Sequence, residues 1–260
     1  QSATATRILV MQAEGRRAPT TAEIGLLRIN TRSANADTAK VAVRALGRLE
    51  RASLIPDLLP ALRHALAEVR IEAADAIATA AQGSGASATA DSVVASTQNA
   101  LLARLAVEAD PGVRGALHEA LARLPYRNAA AALKTETALL AGGRAATALP
   151  ERLGIARALE TFVRIHGDVR PPGSDVIELL RQLARPESVA PGLDLLRDAR
   201  VRRLANEALL SVGGLDEDGV RRAAEDADPQ VRRLAMRAIE ATGVALEKTN
   251  DGLVDPSPLV

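Results

Sequence analysis

Cysteine and tryptophan are absent from these 260 residues, and Tyr126 and Phe162 are the only aromatic side chains. Without cysteine there is no disulfide framework, no CxxC redox centre and no thiolate-ligated zinc. The same absence accords with an oxidising compartment, where unpaired thiols are a liability, so an exported or periplasmic location is favoured over a cytoplasmic one. Sparse aromatics argue against a globular enzyme of this length, which would use several large rings to fill its centre. Lysine is confined to Lys40, Lys134 and Lys248, so nearly all positive charge is arginine. With 33 basic against 32 acidic residues the formal charge is +1, without the basic excess of a dedicated nucleic-acid binder. No apolar run approaches the ~20 residues that span a bilayer.

What is present is alanine, leucine and valine, within a 47% hydrophobic and 25% charged composition. Small aliphatic residues suit helices packed closely side by side, and alanine is the best helix former. The composition predicts an all-α protein.

One block recurs. Asp110-Pro111-Gly112-Val113-Arg114 and Asp228-Pro229-Gln230-Val231-Arg232 are near copies, and Asp198-Ala199-Arg200-Val201-Arg202 is a third. Aligned on the valine, the positions four, seven and eight residues later hold Leu117, Ala120 and Leu121; Ala235, Ala238 and Ile239; and Ala205, Ala208 and Leu209. Val69 (with Ala73, Ala76 and Ile77) and Thr38 (with Ala42, Ala45 and Leu46) align in the same way. This spacing is the apolar stripe of an amphipathic helix, and alanine at one fixed place in all five copies marks where a neighbouring backbone comes close. Arginine follows the aligned residue at Arg70, Arg114, Arg202 and Arg232. Steps between copies are 31, 44, 88 and 30 residues. The long step predicts a diverged copy, whose stripe Glu151, Gly154, Ile155, Ala158, Leu159 and Phe162 fit.

The block resembles the second helix of a HEAT repeat, particularly the short bacterial variety also known as PBS-lyase-like HEAT repeats. The resemblance covers most of Asn35 to Val260, is carried around Asp110 and from Asp198 onward, and is loose between Pro125 and Pro191. It implies an all-α, α-α superhelix, a HEAT-like solenoid of roughly six to seven irregular helix pairs. The solenoid is expected to run over residues 1–260 with an irregular middle at about 125–191. In that family Asp-Pro makes the turn within a pair, and Asp and Arg form hydrogen-bonded ladders along the stack. Asp255-Pro256-Ser257-Pro258-Leu259-Val260 has the form of one more repeat opening. Because solenoids need capping repeats, the chain is expected to be cut within a repeat at 255–260, and its start at Gln1 reads as a processed or cut end.

Partner helices are expected over Thr20–Ile29 with a Thr20/Glu23 capping box, Ser53–His64 with Pro56 in its first turn, Asp91–Ala109, Ala129–Ala141, Ser174–Ala184 and Leu215–Asp226. Gln82–Ala90 reads as a flexible loop, and Arg170–Ser174 and Arg185–Gly192 as further breaks.

Catalytic chemistry finds no footing in the pattern. His64, His118 and His166 lie far apart without metal-ligand spacing and read as surface or half-buried helix residues. Gly83-Ser84-Gly85 and Gly142-Gly143 match no phosphate-binding loop and read as linkers. Ser174 and Ser211 lack a nucleophile-elbow context. The pairs Glu217/Asp218 and Glu225/Asp226 read as exposed charges at helix ends. No catalytic residue, cofactor or metal is expected in this segment.

Two polar sets remain. Asp110, Asp198 and Asp228 with Arg70, Arg114, Arg202 and Arg232 read as a structural ladder. In it each aspartate caps a helix, and each arginine bonds a carboxylate or carbonyl of the next unit; an anion-binding strip is the competing reading. Positions two and six residues after the aligned one, Lys40/Arg44, Ile71/Asp75, Gly115/Glu119, Arg203/Glu207 and Arg233/Arg237, would line the concave face and vary from unit to unit as partner reading requires.

The leading expectation is a protein–protein interaction scaffold that offers a groove to a protein partner or to a further domain of its own chain. No membrane span or small-molecule substrate is expected. Ala45–His64 (ALGRLERASLIPDLLPALRH) is also similar to the N-terminal HEAT region of bacterial proteins that continue into a cyclophilin-type peptidyl-prolyl isomerase domain. That resemblance implies a helical arm whose catalytic part would lie beyond Val260. DNA binding of the alkylation-repair HEAT-like kind is disfavoured by the near-neutral charge and missing tryptophan, and phycobilin lyase chemistry by the lack of pigment-handling residues.

Overall fold

The computed structural model describes residues 20–83, 89–186, 195–242 and Ser257. The Gly/Ser segment 84–88, most of the break at 187–192, the N-terminal 19 residues and, apart from Ser257, the repeat opening at 255–260 lie outside them. Among the described residues there are helices and no strand. In chain order they are α1 (Thr21–Asn30), α2 (Ala36–Gly47), α3 (Ile55–Leu58), α4 (Ala67–Ala81), α5 (Asp91–Leu105), α6 (Pro111–Arg123), α7 (Ala129–Ala145), α8 (Leu149–His166), α9 (Ser174–Leu183), α10 (Leu195–Ser211), α11 (Glu217–Ala224) and α12 (Pro229–Thr242).

Two compact units divide the chain, Gln1–Thr135 and Glu136–Val260. In the first, α2, α4 and α6 lie side by side in chain order, while α1, α3 and α5 each pack on the helix that follows. In the second, α8, α10 and α12 form such a row, and α9 and α11 pack on α10 and α12. Helix pairs stacked on their nearest neighbours are the solenoid arrangement. Each unit is thus all-α and solenoid-like, as the repeat predicts.

The repeated positions account for this packing. Across the five aligned copies every position of the quartet is buried except Thr38 and Ile239, which are half-buried. Ile155, Ala158 and Leu159 of α8 are buried in the same register, so the diverged copy is present. A buried leucine or isoleucine contributes about 1.5–3 kcal/mol. Alanine contributes less and works by proximity. At the end of α2, a methyl group added to Gly47 would come within 2.6 Å of the Ala76 Cα on α4, so the two backbones touch where the recurrent alanine stands.

Helix starts follow local chemistry. Thr20 and Glu23 form the expected capping box, and Asn35 accepts the Thr38 N–H at 2.9 Å. Asp110 accepts the N–H groups of Gly112 and Val113 at 2.9 and 3.0 Å, with Pro111 at the first helical position.

Three expectations are corrected. Ser53–His64 is not one helix but 3-10 turns at Ala52–Leu54 and Leu59–Arg63 around the single turn of α3. Pro60 has no N–H for the carbonyl one turn back and its ring crowds that carbonyl, so the segment tightens instead of continuing. Gly142 and Gly143 are not a linker but lie in the last turn of α7. A methyl on Gly143 would meet the Leu179 Cδ2 at 2.5 Å; the glycine makes room for α9. Finally α5 ends at Leu105 rather than Ala109, which frees the turn that carries Glu108.

Candidate functional site

Three of the four arginines that follow an aligned residue, Arg70, Arg114 and Arg232, face the turn before their own helix. The Arg70 Nη1 donates to the carbonyls of His64 and Ala65 at 2.9 and 3.0 Å. Arg114 does the same to Leu105 and Glu108 at 3.1 and 3.2 Å, and Arg232 to Asp226 and Ala227 at 2.9 and 3.2 Å. Arg70, and the fourth arginine Arg202, reach the next repeat. Arg70 grips the Glu108 carboxylate with two donors, Nε at 2.8 Å and Nη2 at 3.0 Å. Arg202 grips Asp226 in the same way at 2.7 and 2.8 Å, with both side chains 1% exposed.

Glu108 and Asp226 stand two residues before the Asp-Pro step, and each also holds its own turn. Glu108 accepts the N–H groups of Ala109 and Asp110 at 3.1 and 3.0 Å, and Asp226 accepts that of Asp228 at 2.8 Å. Arg104 donates to Glu108 as well, through Nε at 3.0 Å. Burial would raise the Glu108 carboxyl, but hydrogen bonds from Arg70, the Asp110 N–H and Arg104 outweigh it and hold the group at about 2. A carboxylate so firmly ionised, its oxygens occupied by donors, is a structural fastener rather than an acid–base group.

Asp110 and Asp228 are caps, as expected: Asp228 accepts from Gln230 and Val231 at 2.8 and 3.3 Å and is gripped by Arg203 through Nε at 2.9 Å. Burial would raise Asp228, yet Arg203 and these N–H groups lower it. Asp198 is not a cap. It lies within α10, which begins at Leu195, and is fully buried against Arg152, whose Nη2 donates to it at 3.2 Å. Arg152 follows Glu151 and is therefore the arginine of the diverged copy. The Asp198 Oδ1 and Arg152 Nε are both buried without a hydrogen-bond partner.

Of the residues expected on the concave face, Lys40, Arg44, Asp75 and Arg203 form ion pairs with neighbours in the chain. Lys40 pairs with Glu68 at 2.8 Å and Asp37 at 3.3 Å, and the Arg44 Nε donates to Glu72 at 2.8 Å. Asp75 pairs with Arg123, which also donates to the Thr79 hydroxyl at 2.9 Å. Ile71 is exposed, Gly115 is buried and Glu119 is half-buried. Glu207, Arg233 and Arg237 are exposed.

Sequence reasoning missed three members of this network. Glu108 and Asp226 are signalled by the matching tetrapeptides Glu108-Ala109-Asp110-Pro111 and Asp226-Ala227-Asp228-Pro229, and Arg152 by its register after Glu151. Asp226, expected as an exposed helix-end charge, is buried, whereas Glu217 and Asp218 pair with Arg221 on the surface of α11.

Two of the three histidines, His118 and His166, are more deeply set than expected. His64 is half-buried in a turn, its Nε2 donating to the Ser33 carbonyl at 3.0 Å. His166 is buried, with its ring 5.1 Å from that of Phe162. His118 is fully buried with neither ring nitrogen partnered; burial, with the Arg114 charge adding to it, pushes it down to about 4.

Among the described residues no group of His, Asp or Glu is placed to hold a metal, and no helix is long and apolar enough to cross a membrane. No family model and no curated protein matches this chain. Among solved structures it is similar to an engineered protein, at 21% identity over 84% of this chain and 95% of that one, with a TM-score of 0.48.

Proposed function

We propose that this chain is a HEAT-type protein-interaction scaffold. The observation supporting the reading is a division of labour within the second helices of each pair. The aligned apolar quartet and the arginine after it are committed to packing and to the turns. The positions two and six residues on differ in charge and size from copy to copy. The Lys40–Glu68 and Asp75–Arg123 pairs lie at the surface, where such pairs contribute little to stability and can be exchanged for partner contacts, whereas Arg203 holds the buried cap Asp228. Glu207, Arg233 and Arg237 of α10 and α12 are the exposed charges most directly available.

A pull-down from extract of the source organism, followed by titration of the captured protein, tests this. The paired reversal Arg233→Glu/Arg237→Glu is expected to weaken binding at least tenfold while leaving the melting temperature unchanged. Failure of the intact chain to retain any protein at physiological salt would count against the scaffold reading.

A further inference from the structure

Within unit Gln1–Thr135, the broken helix around α3 and the outer face of α5 leave between them a cleft of about 450 Å³. One wall carries Pro56 and Pro60, one turn apart, with Leu59 between them; the other carries Ala103 and Val107, also one turn apart. Val107 is 72% exposed. The proline rings cannot collapse into the gap and bring no N–H group to it, so this wall presents a stiff apolar surface.

The rim is charged with one sign only. Arg63 and Arg104 line the cleft and no acidic residue does. The Arg104 guanidinium is already bound to Glu108, whereas Arg63 is exposed and has no partner among the described residues. A guanidinium beside an apolar trough matches a planar carboxylate attached to aliphatic side chains. The volume falls within the range of sites that enclose small ligands, about 300–1,000 Å³, enough for a few residues of an extended chain.

The geometry points to a docking site for a short aliphatic peptide segment whose carboxylate, from a side chain or a C-terminus, is held by Arg63. This deepens the scaffold reading and rests on it, but it uses the first-helix side rather than the second-helix row. Because the walls are preformed, a peptide would order only itself on binding, which limits the entropic cost.

The test uses the intact chain and a random hexapeptide library with free C-termini. Selected peptides are expected to carry two or more large aliphatic residues, and their binding is read by fluorescence anisotropy. Ala103→Arg, at an exposed position that fills the cleft without disturbing the core, and Arg63→Glu should each weaken binding at least tenfold; Arg233→Glu/Arg237→Glu should leave it unchanged. Selected peptides that bind both cleft variants as tightly as the parent would overturn the assignment. So would light scattering that shows a dimer lost on Ala103→Arg, which would make the occupant a second copy. If binding is lost only in the Arg233→Glu/Arg237→Glu variant, or if no peptide is selected, the cleft fails and the scaffold reading stands or falls by the pull-down.

Discussion

Arg202–Asp226 and Arg152–Asp198 both join consecutive second helices of unit Glu136–Val260, and both are buried, yet only the first is complete. Asp226 lies in the turn before α12, where it meets two donors of Arg202 and also holds the Asp228 N–H. Asp198 lies within α10, meets a single donor at 3.2 Å and leaves one oxygen unpaired, as Arg152 leaves its Nε. Arg70–Glu108 in the other unit follows the complete pattern. The ladder therefore depends on where the acid stands relative to the helix start. An acid in the turn serves the next repeat and its own backbone at once, whereas an acid within the helix has no local N–H to receive.

Breaking one member of a complete pair should have the largest effect. Asp226→Ala strands a buried guanidinium and a turn N–H, and is expected to cost about 3–5 kcal/mol; Glu108→Ala should fall in the same range. Asp198→Ala also strands a buried guanidinium, but it loses one long hydrogen bond and no turn N–H, so it should fall at the lower end of that range, about 3 kcal/mol. Urea denaturation of the three variants checks the order.

Acid titration should separate the carboxylate contribution from that of His118. The His118 imidazole is held neutral in the fold, so its stability contribution is full above pH 6.5 and is lost as pH falls through about 4, a change of about 3 kcal/mol. Glu108 is held ionised, so its contribution is full above pH 4.5 and is lost as pH falls toward 2. His118→Leu is expected to flatten the upper limb of the stability–pH curve and leave the lower limb, read from urea midpoints across pH.

Gly47→Ala should cost about 1–3 kcal/mol, because the new methyl meets the Ala76 backbone rather than a movable side chain; a fall in melting temperature measures it. At the small end, Arg144→Ala breaks an exposed pair with Asp175, 61% and 64% exposed, and should shift stability by less than about 1 kcal/mol.

Much of this arrangement was legible in the sequence. The aligned quartet located the buried face of every second helix, and Asp110 and Asp228 declared themselves as caps through the proline that follows them. The diverged copy was legible from Ile155, Ala158 and Leu159. What escaped were features set by tertiary proximity. Nothing local in the sequence ends α5 before Glu108, so its place in a turn is hidden there. Gly142 and Gly143 look like a break, but the room they leave for Leu179 outweighs their poor propensity. The +2 and +6 positions look like a free surface, and the carboxylates that engage them, Glu68 and Glu72, lie on the next copy at distances only the stacked helices reveal.

Apolar replacement of both partners tests the ladder most directly. Arg202→Met/Asp226→Leu removes a pair whose acid also holds the Asp228 N–H, so it should lose about 2 kcal/mol or more. Arg152→Met/Asp198→Leu removes two unpaired buried atoms along with one bond, and should be neutral or stabilising. Urea unfolding of the two double variants against the parent gives the answer. Opposite behaviour of the two pairs is the predicted result, and equal losses at both would contradict the claim that the turn position makes the fastener.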